Sequence, residues 1–382
     1  LDFWREPVGV SLPVDVRVPF PSLQALRAFL GYHEIHYEIM IQDLQDVLDE
    51  EQREMTRARV FQPRSTDEYD YAHYHTLSEV RYRQTDTIYS KPIHIFNNNS
   101  ISLFSLQILF RSTPSWTCWC RRIRSCTGGT KRPGIWIDTG IHAREWITPA
   151  SGTWFAKKIV TDYGRDPALT AVLDKMDIFL ELVTNPDGYE YTHTSNRMWR
   201  KTRRINSGSS CFGVDPNRNW GTGYGGAGSS SNPCSETYRG PSVYSESEVK
   251  SIVDFTKSHG NLKAFLTIHS YSQMLLYPYG DTSTPCVDEA ELDELALKAT
   301  SDLESLYGTK YTYGSTFDTI YQASGVTTDW AYDQGVKYSY TFELRDNGRY
   351  GFVLPADQII PTAQETWLAL MAIMEHAMNN PY

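Results

Sequence analysis

The chain has 382 residues, so it is long enough to bury the core of one large domain and a small one. Its formal net charge is −10. The acidic balance argues against a nucleic-acid partner, which would favour a positive surface. No apolar run approaches the length of a membrane span, so the sequence predicts a soluble protein with no membrane partner.

Residues 13–59 have the pattern of a small unit. Apolar residues alternate with polar ones over 14–18 and again over 37–41, and both patterns predict strands. Helices are predicted from a cap at Ser22 and over 44–57. This unit therefore predicts mixed helices and strands near the start of the chain.

Basic residues follow the second of these helices. Residues 1–61 hold 11 Asp/Glu and 6 Lys/Arg, a net charge of −5, but Arg57, Arg59 and Arg64 cluster at the end of this acidic segment. The cluster can be a cleavage region for a trypsin-like protease. The alternative is a solvated helix end, where cations are favourable in themselves.

Residues 81–127 differ in composition from their surroundings, with seven Lys/Arg, one acidic residue and many serines. Polar interruptions disturb any helical period here. The spacing of Cys118, Cys120 and Cys126 is interpreted as chance and not as a metal site. Asn98 begins a glycosylation sequon, which matters only if that loop is exposed in a secretory compartment.

From Ile135 onward, strand-like and helix-like runs alternate, which predicts an α/β fold with helices on both faces of a sheet. The strand-like runs are 135–137, 178–183, 264–268 and 338–342. The helix-like runs are 146–162, 245–258 with Ser245 as the expected cap, 288–306 and 358–378. Between them, 206–232 is rich in Gly and Ser and predicts a long surface loop.

Several short clusters fit together as one zinc peptidase site. His142 and Glu145 are three residues apart, so both can turn to one ion in a tight turn or helix start. His269 and Glu343 each end a strand-like run and would be held rigidly. Two histidines and one glutamate leave one zinc position open for water, as in catalytic zinc sites. Glu343 is then the spare carboxylate that such a site needs as a base.

Each cluster alone has an ordinary explanation. A surface H-x-x-E is usually a solvated pair, a strand-end histidine is usually a hydrogen-bonded core residue, and Glu343 could simply pair with Arg345. The combination is far more specific, because every part that zinc hydrolysis requires is present.

These clusters belong to a longer set of dispersed motifs: Ile141–Trp146, Thr184–Gly188, Asn196–Lys201, Asp215–Trp220, Ile268–Ser272 and Phe342–Asp346. With these motifs, the stretch from about Gly128 to Tyr382 resembles the catalytic domain of the metallocarboxypeptidases, closest to the pancreatic procarboxypeptidase A group. The resemblance implies an α/β fold with a mixed, twisted central sheet flanked by helices.

The resemblance also implies the domain organisation. Residues 1–61 resemble the later part of an activation domain, so we expect a small, incomplete α+β unit there. Residues 62–382 would form the catalytic domain, within which 81–127 is atypical and has no identified counterpart. Because the family is activated by proteolysis, cleavage by a trypsin-like protease is the favoured interpretation of the basic cluster.

For the chemistry, the resemblance implies one zinc ion held by His142, Glu145 and His269. Asp215 would anchor the other ring nitrogen of His142. Zinc lowers the pKa of its bound water, and Glu343 would take the proton of that water and pass it to the departing amine. Arg200 would stabilise the oxyanion.

For substrate binding, the resemblance assigns the free C-terminal carboxylate to Arg218, whose planar donors suit a bidentate contact, and to Asn217. Tyr321 resembles the mobile tyrosine that closes over the end group, and Arg144 would lie along the entrance. A disulfide between Cys211 and Cys234 is also implied.

The resemblance implies that Thr328 is the position that sets specificity, where A-type members of the family carry isoleucine and B-type members carry aspartate. No negative charge is available there to attract Lys or Arg. Thr316 also stands where an apolar residue is expected. The pocket is therefore predicted to be neutral and unusually polar.

Together these features predict a secreted, zymogen-like zinc carboxypeptidase that releases neutral, aromatic or aliphatic, C-terminal residues from peptides and proteins. One alternative is a non-catalytic relative that only binds peptide termini; such proteins usually lack a zinc ligand or the base, and neither is missing here. A second is a chain that does not fold because of residues 81–127.

Overall fold

The structure is a computed structural model that describes residues 2–5, 14–61, 69–81, 95–97, 100–102, 106–109 and 132–382. The predictions made for Asn98, Arg64 and the three cysteines of 81–127 lie outside these residues. The side chain of Arg59 is also outside them.

A seven-stranded mixed sheet forms the centre of the molecule, in the order β10-β9-β11-β8-β6-β7-β5. Its strands are β5 (Leu106–Leu109), β6 (Gly134–Thr139), β7 (Asp177–Glu181), β8 (Leu262–Ser270), β9 (Met274–Tyr277), β10 (Thr312–Ser315) and β11 (Tyr338–Leu344). All neighbours are parallel except β9 and β11, which are antiparallel. The predicted mixed sheet is confirmed.

Helices follow the strands, as the alternation in the sequence predicted. They are α4 (Ile147–Asp162), α5 (Pro167–Lys175), α6 (Pro186–Thr194), α7 (Ser247–His259), α8 (Glu289–Tyr307), α9 (Thr316–Thr319), α10 (Thr327–Asp333) and α11 (Ile359–Asn379). The predicted cap of α7 is wrong. The N-cap is Glu246, while the Ser245 hydroxyl donates to the Glu246 carboxylate and accepts no hydrogen bond from a backbone amide of α7.

The central strands are buried on both faces. Along β6, Ile135 and Ile137 belong to a large core that includes residues of α4, α8 and α11, whereas Trp136 belongs to a second core with residues of α7. Successive side chains of a strand point to opposite faces, so this alternation places apolar packing on each side of the sheet.

The N-terminal unit contains β1 (Asp2–Arg5), β2 (Asp15–Arg17), α1 (Phe20–Tyr32) and α2 (Leu44–Phe61), and β1 pairs with β2 in antiparallel fashion. A helical segment at 77–81, α3, follows. The predicted strand over 37–41 is wrong: Tyr37 and Ile39 are exposed and no described strand lies beside them to complete a ladder. Ser22 is not a cap, because α1 begins two residues earlier, after Pro19.

Part of the stretch 81–127 belongs to the central sheet. Strand β5 occupies its edge beside β7, and β3 (Ile95–Asn97) pairs with β4 (Ser100–Ser102) in a separate ribbon. Among the helices of the described residues, none combines the length and apolar character needed to cross a membrane.

Candidate metal centre

Three parallel strands bring the predicted chemistry to one edge of the sheet. β6, β8 and β11 run side by side, and their carboxyl ends meet at the same edge, where ligands commonly bind in open α/β sheets. His142 follows β6, His269 lies near the end of β8, and Glu343 lies near the end of β11. In the sheet register Glu343 lies directly opposite His269.

His142, Glu145 and His269 form a compact buried cluster whose ligand atoms lie within 4.8 Å of one another. The Nδ1 atoms of the two histidines are 3.1 Å apart. The Glu145 oxygens lie 2.8 Å from His142 Nδ1 and 3.3 Å from His269 Nδ1.

This geometry fits a tetrahedral zinc ion. Bonds of about 2.0–2.1 Å give a tetrahedron with edges of about 3.3 Å, close to the three separations between these ligand atoms. Two imidazole nitrogens that face each other in a buried site cannot both keep their lone pairs without a cation or proton between them. The carboxylate of Glu145 adds the negative charge that a divalent cation requires.

Neighbouring charges set the ionisation of the cluster. Burial acts to raise the pKa of Glu145, but the charges of His142 and His269 outweigh it and hold that pKa well below its usual value. Burial and the charge of Arg200 lower the pKa of His142. The cluster therefore favours an ionised glutamate and a neutral His142, the forms that bind metal.

Asp215 supports His142 from behind. His142 Nε2 lies 3.0 Å from Asp215 Oδ1, and Arg200 Nη2 donates to Asp215 Oδ2 at 2.9 Å. Burial alone would raise the pKa of Asp215, but the charge of Arg200 keeps it well below its usual value. An ionised acceptor behind a histidine fixes the ring tautomer, which leaves Nδ1 to face the cluster.

Glu343 is a buried carboxylate of the cavity that does not join the cluster. Burial raises its pKa, and the charge of Glu145 adds to the rise, while His269 opposes it. A carboxyl group with a raised pKa is a better proton acceptor than an ordinary glutamate. Glu343 and Arg200 line the same cavity as the cluster.

Arg218, Asn217 and Tyr321 lie together on another wall of this cavity. Arg218 is buried, and its Nη2 lies 3.2 Å from the Tyr321 hydroxyl. The oxygen of Asn217 accepts two hydrogen bonds from Thr327, so its amide NH2 remains as a donor. This wall thus combines a guanidinium, an amide and a phenol.

The remaining predicted residues are Arg144, Thr328, Cys211 and Cys234, and they differ in how close they lie to the cavity. Arg144 lines the cavity with its guanidinium 4.1 Å from the centre of the Phe352 ring. Thr328 is buried on α10 and does not line the cavity; its hydroxyl lies 3.4 Å from that of Thr341, two residues before Glu343 on β11. Cys211 and Cys234 form a disulfide bond.

Sequence reasoning missed one wall of the cavity, which comes from strand β1 of the N-terminal unit. Phe3, Trp4 and Arg5 line the cavity, and Arg5 Nη2 donates to Ser272 Oγ at 2.7 Å. The adjacent Asp2 lies 3.6 Å from Arg144. The sequence offered one signal, the resemblance of this segment to an activation domain, but no pattern there indicated a contact with the site.

Comparisons with known proteins agree with the geometry. The family model "Zinc carboxypeptidase" matches residues 97–369, and "Carboxypeptidase activation peptide" matches residues 1–51. Carboxypeptidase A1 of Rattus norvegicus is 60% identical over 384 residues, covering 100% of this chain and 88% of the relative. Carboxypeptidase A5 of Homo sapiens is 52% identical over 386 residues, covering 100% and 85%.

A solved structure gives the same result. The crystal structure of thrombin activatable fibrinolysis inhibitor has a TM-score of 0.82 and 32% identity, covering 99% of this chain and 92% of the other. The fold and the site define a zinc-dependent metallopeptidase. The chain belongs to the zinc carboxypeptidase family, with an activation peptide, and hydrolyses C-terminal peptide bonds.

Proposed function

We propose that His142, Glu145 and His269 hold the single zinc ion and that Glu343 is the general base. The proposal is supported by three buried side chains whose ligand atoms converge, and by Glu343, a carboxylate that lines the same cavity but lies outside the cluster. When bound, the zinc ion supplies Lewis acidity that activates water and polarises the scissile carbonyl.

Glu343 accepts a proton as water adds to the carbonyl carbon, and it donates that proton to the nitrogen as the C–N bond breaks. Arg200 stabilises the negative charge that develops on the carbonyl oxygen. Its guanidinium is already oriented by Asp215, so little reorganisation is needed during the reaction.

The base is tested by Glu343→Gln, assayed after removal of the activation segment. We expect zinc content to stay at one ion per chain and kcat to fall by about 10²–10⁴-fold, the usual contribution of a general base. The matched control is Glu236→Gln, which removes another carboxylate from the wall of the same cavity and should have a much smaller effect. Near-normal turnover by Glu343→Gln would eliminate Glu343 as the base.

We further propose that Arg218 and Asn217 bind the free carboxylate of the substrate, with Tyr321 closing over it. Buried Arg218 already has acceptors for Nε in Gly228 and for Nη1 in Asn217, so its fork is held in one orientation. A fixed, planar pair of donors matches the two oxygens of a carboxylate. The hydroxyl contact of Tyr321 with Arg218 places the ring beside the same end group.

We propose that Thr328 contributes to the floor of the pocket for the terminal side chain. Its neighbour Thr327 binds Asn217, and its hydroxyl lies near Thr341, which points to the same sheet face as Glu343. A neutral floor favours aromatic and large aliphatic residues. Its hydroxyl adds tolerance of polar side chains, and it offers no counter-charge for Lys or Arg.

We propose that residues 1–61 act as an activation segment that covers the cleft in front of the catalytic domain, residues 62–382. Strand β1 lines the cavity, and Glu51 of α2 forms two hydrogen bonds with Arg197 at 2.7 and 3.0 Å. A trypsin-like protease would cut near Arg57, whose side chain is 64% exposed. A disulfide and an activation peptide are features of secreted proteins, and we propose secretion.

A further inference from the structure

Three aromatic rings hold a cationic side chain outside the metal centre. The Cζ atom of Arg203 lies 3.5 Å from the centre of the Tyr191 ring on α6, 4.3 Å from that of Trp199 and 5.1 Å from that of Phe212. A guanidinium within about 6 Å of a ring centre is attracted to the electron-rich face of the ring. Arg203 and these three rings, here called the Arg203 cage, therefore restrict where the guanidinium lies.

The surrounding backbone fixes two of the rings in turn. Trp199 Nε1 donates to the carbonyl oxygen of Lys201 at 2.7 Å. Phe212 forms an antiparallel β-bridge with Ile205, and the preceding Cys211 belongs to the disulfide bond. The guanidinium thus packs against rings that are tied to the backbone and to a disulfide-bonded loop.

The hydrogen-bonding capacity of Arg203 is unused. Within the part of the chain that the structure describes, its guanidinium donates to no protein acceptor and pairs with no carboxylate, and none of its nitrogens is sealed from solvent. The adjacent Arg204 differs, because it lies 3.5 Å from a Glu246 oxygen and donates to the carbonyl oxygen of Ser245. A guanidinium presents planar donors that match the two oxygens of a carboxylate. Arg203 therefore offers an oriented pair of donors to an anion from outside the chain.

An apolar surface lies beside these donors. Ile205 is 77% exposed and Phe212 is 42% exposed, and the two residues are paired in the β-bridge. Exposed apolar side chains that adjoin a cation provide contacts for a partner with the complementary chemistry. Aromatic residues and arginine are also the types enriched at protein interfaces. The matching partner carries a carboxylate next to an apolar side chain.

We propose that the Arg203 cage binds an Asp or Glu side chain in an acidic segment of another polypeptide, with an apolar neighbour of that residue packed on Ile205. Because the guanidinium is already oriented, little of its freedom is lost on binding. No residue of the cage lines the cavity of the metal centre, so this inference does not rest on the proposed function. A purely structural role, in which Arg203 only packs the rings together, is the alternative that the experiment must separate.

The first test uses the wild-type chain, so it stands even if a variant does not fold. The probe is the capped peptide acetyl-Leu-Glu-Leu-Glu-Leu-amide, and the matched control peptide has Gln in place of both Glu. Neither has the free C-terminus that the cleft is proposed to bind. We expect the Glu peptide to bind about tenfold more tightly, measured by titration calorimetry, because its carboxylate bonds are charge-assisted. Equal affinities, or no binding of the Glu peptide at millimolar concentration, would overturn the proposal.

The second test locates the binding on the protein. Arg203→Gln should raise the dissociation constant of the Glu peptide about tenfold. The matched control Arg204→Gln removes a neighbouring charge and should raise it about twofold or less. Tyr191→Leu keeps the charge but removes the nearest ring, and should raise it about threefold. Equal losses in the two arginine variants, or no loss in Tyr191→Leu, would contradict the proposal.

Hydrolysis provides the check that each variant is folded. None of the three substituted residues lines the cavity, so a short peptide with a free C-terminus should be cleaved at the wild-type rate after removal of the activation segment. A loss of binding together with normal hydrolysis supports a separate site. A loss of binding that occurs only together with a loss of hydrolysis, in every variant, would show that the cage is structural and would overturn the proposal.

Discussion

The N-terminal unit and the catalytic domain use the same kinds of elements but stabilise them differently. Helix α1 has no buried residue, and Phe20 and Phe29 are 87% and 54% exposed. Helix α11 buries a whole face, including Ile373 and Leu370, against the large core. An isolated helix as short as α1, with 13 residues, is marginal in water, so the packing that it lacks and α11 has decides how firmly each is held.

The same contrast holds for charged groups. In the catalytic domain, buried charges such as Arg345 and Glu365 pair with each other, and Asp215 pairs with Arg200. The N-terminal unit instead contacts the cleft through a few separate groups, including Arg5 and Glu51. A unit attached at separate points can be released without disturbing the site that it covers.

The largest expected effect tests the contrast between the packed helix α11 and the exposed helix α1. Leu370→Ala should lower the free energy of unfolding by about 2–5 kcal/mol, because it leaves a cavity in the core. Phe29→Ala removes a larger side chain from an exposed position and should change that free energy by no more than about 0.5 kcal/mol. Denaturant unfolding of the two variants measures both values; similar losses would show that α1 is packed as firmly as α11.

A second effect concerns Arg218, a buried charge of the catalytic domain whose proposed partner is the carboxylate of the substrate. Arg218→Ala should raise the activation free energy that kcat/KM reports for a peptide with a free C-terminus by about 2–5 kcal/mol, since the substrate carboxylate would lose its partner in a desolvated pocket. Amidation of the same peptide should abolish cleavage by the wild-type enzyme. Arg204→Ala, at an exposed position, is the control. Equal rates on the acid and the amide would exclude carboxylate recognition by Arg218.

A smaller effect is expected at the pocket floor. Thr328→Ile should sharpen the preference for apolar C-terminal residues, and Thr328→Asp should admit Lys and Arg. Each variant should change the difference in activation free energy between the two classes of substrate, taken from the ratio of their kcat/KM values, by about 1–3 kcal/mol. Peptides that differ only in the last residue provide the measurement. A wild-type preference for C-terminal Lys or Arg would show that Thr328 is not the floor.

The smallest effect lies at the boundary between the two regions. Glu51→Gln should weaken the contact with Arg197 by about 1 kcal/mol and speed release of the cleaved segment by roughly fivefold. Glu50→Gln is a matched control, because Glu50 pairs with Arg53 and Arg57 within α2. If both variants released the segment at the same rate, the Glu51 contact would not hold it.

The catalytic domain could be predicted from sequence further than the N-terminal unit. The run 264–268 is almost continuously apolar, as is typical of a strand covered on both faces, and 338–342 alternates aromatic residues with Ser and Thr; both became buried strands. The alternation over 37–41 predicted a strand wrongly, since pairing needs a neighbouring strand that local sequence cannot supply. The role of β1 in the cavity was missed for the same reason: its contacts with Ser272 and Arg144 join residues far apart in the chain.

The central claim, that His142, Glu145 and His269 form the zinc site, is tested most directly by counting zinc ions bound per chain. We predict one ion in the wild-type protein and in Glu343→Gln, and none in His142→Ala or His269→Ala. Chelation should abolish hydrolysis by the wild-type enzyme, and added zinc should restore it. Stoichiometric zinc in purified His269→Ala protein would contradict the account.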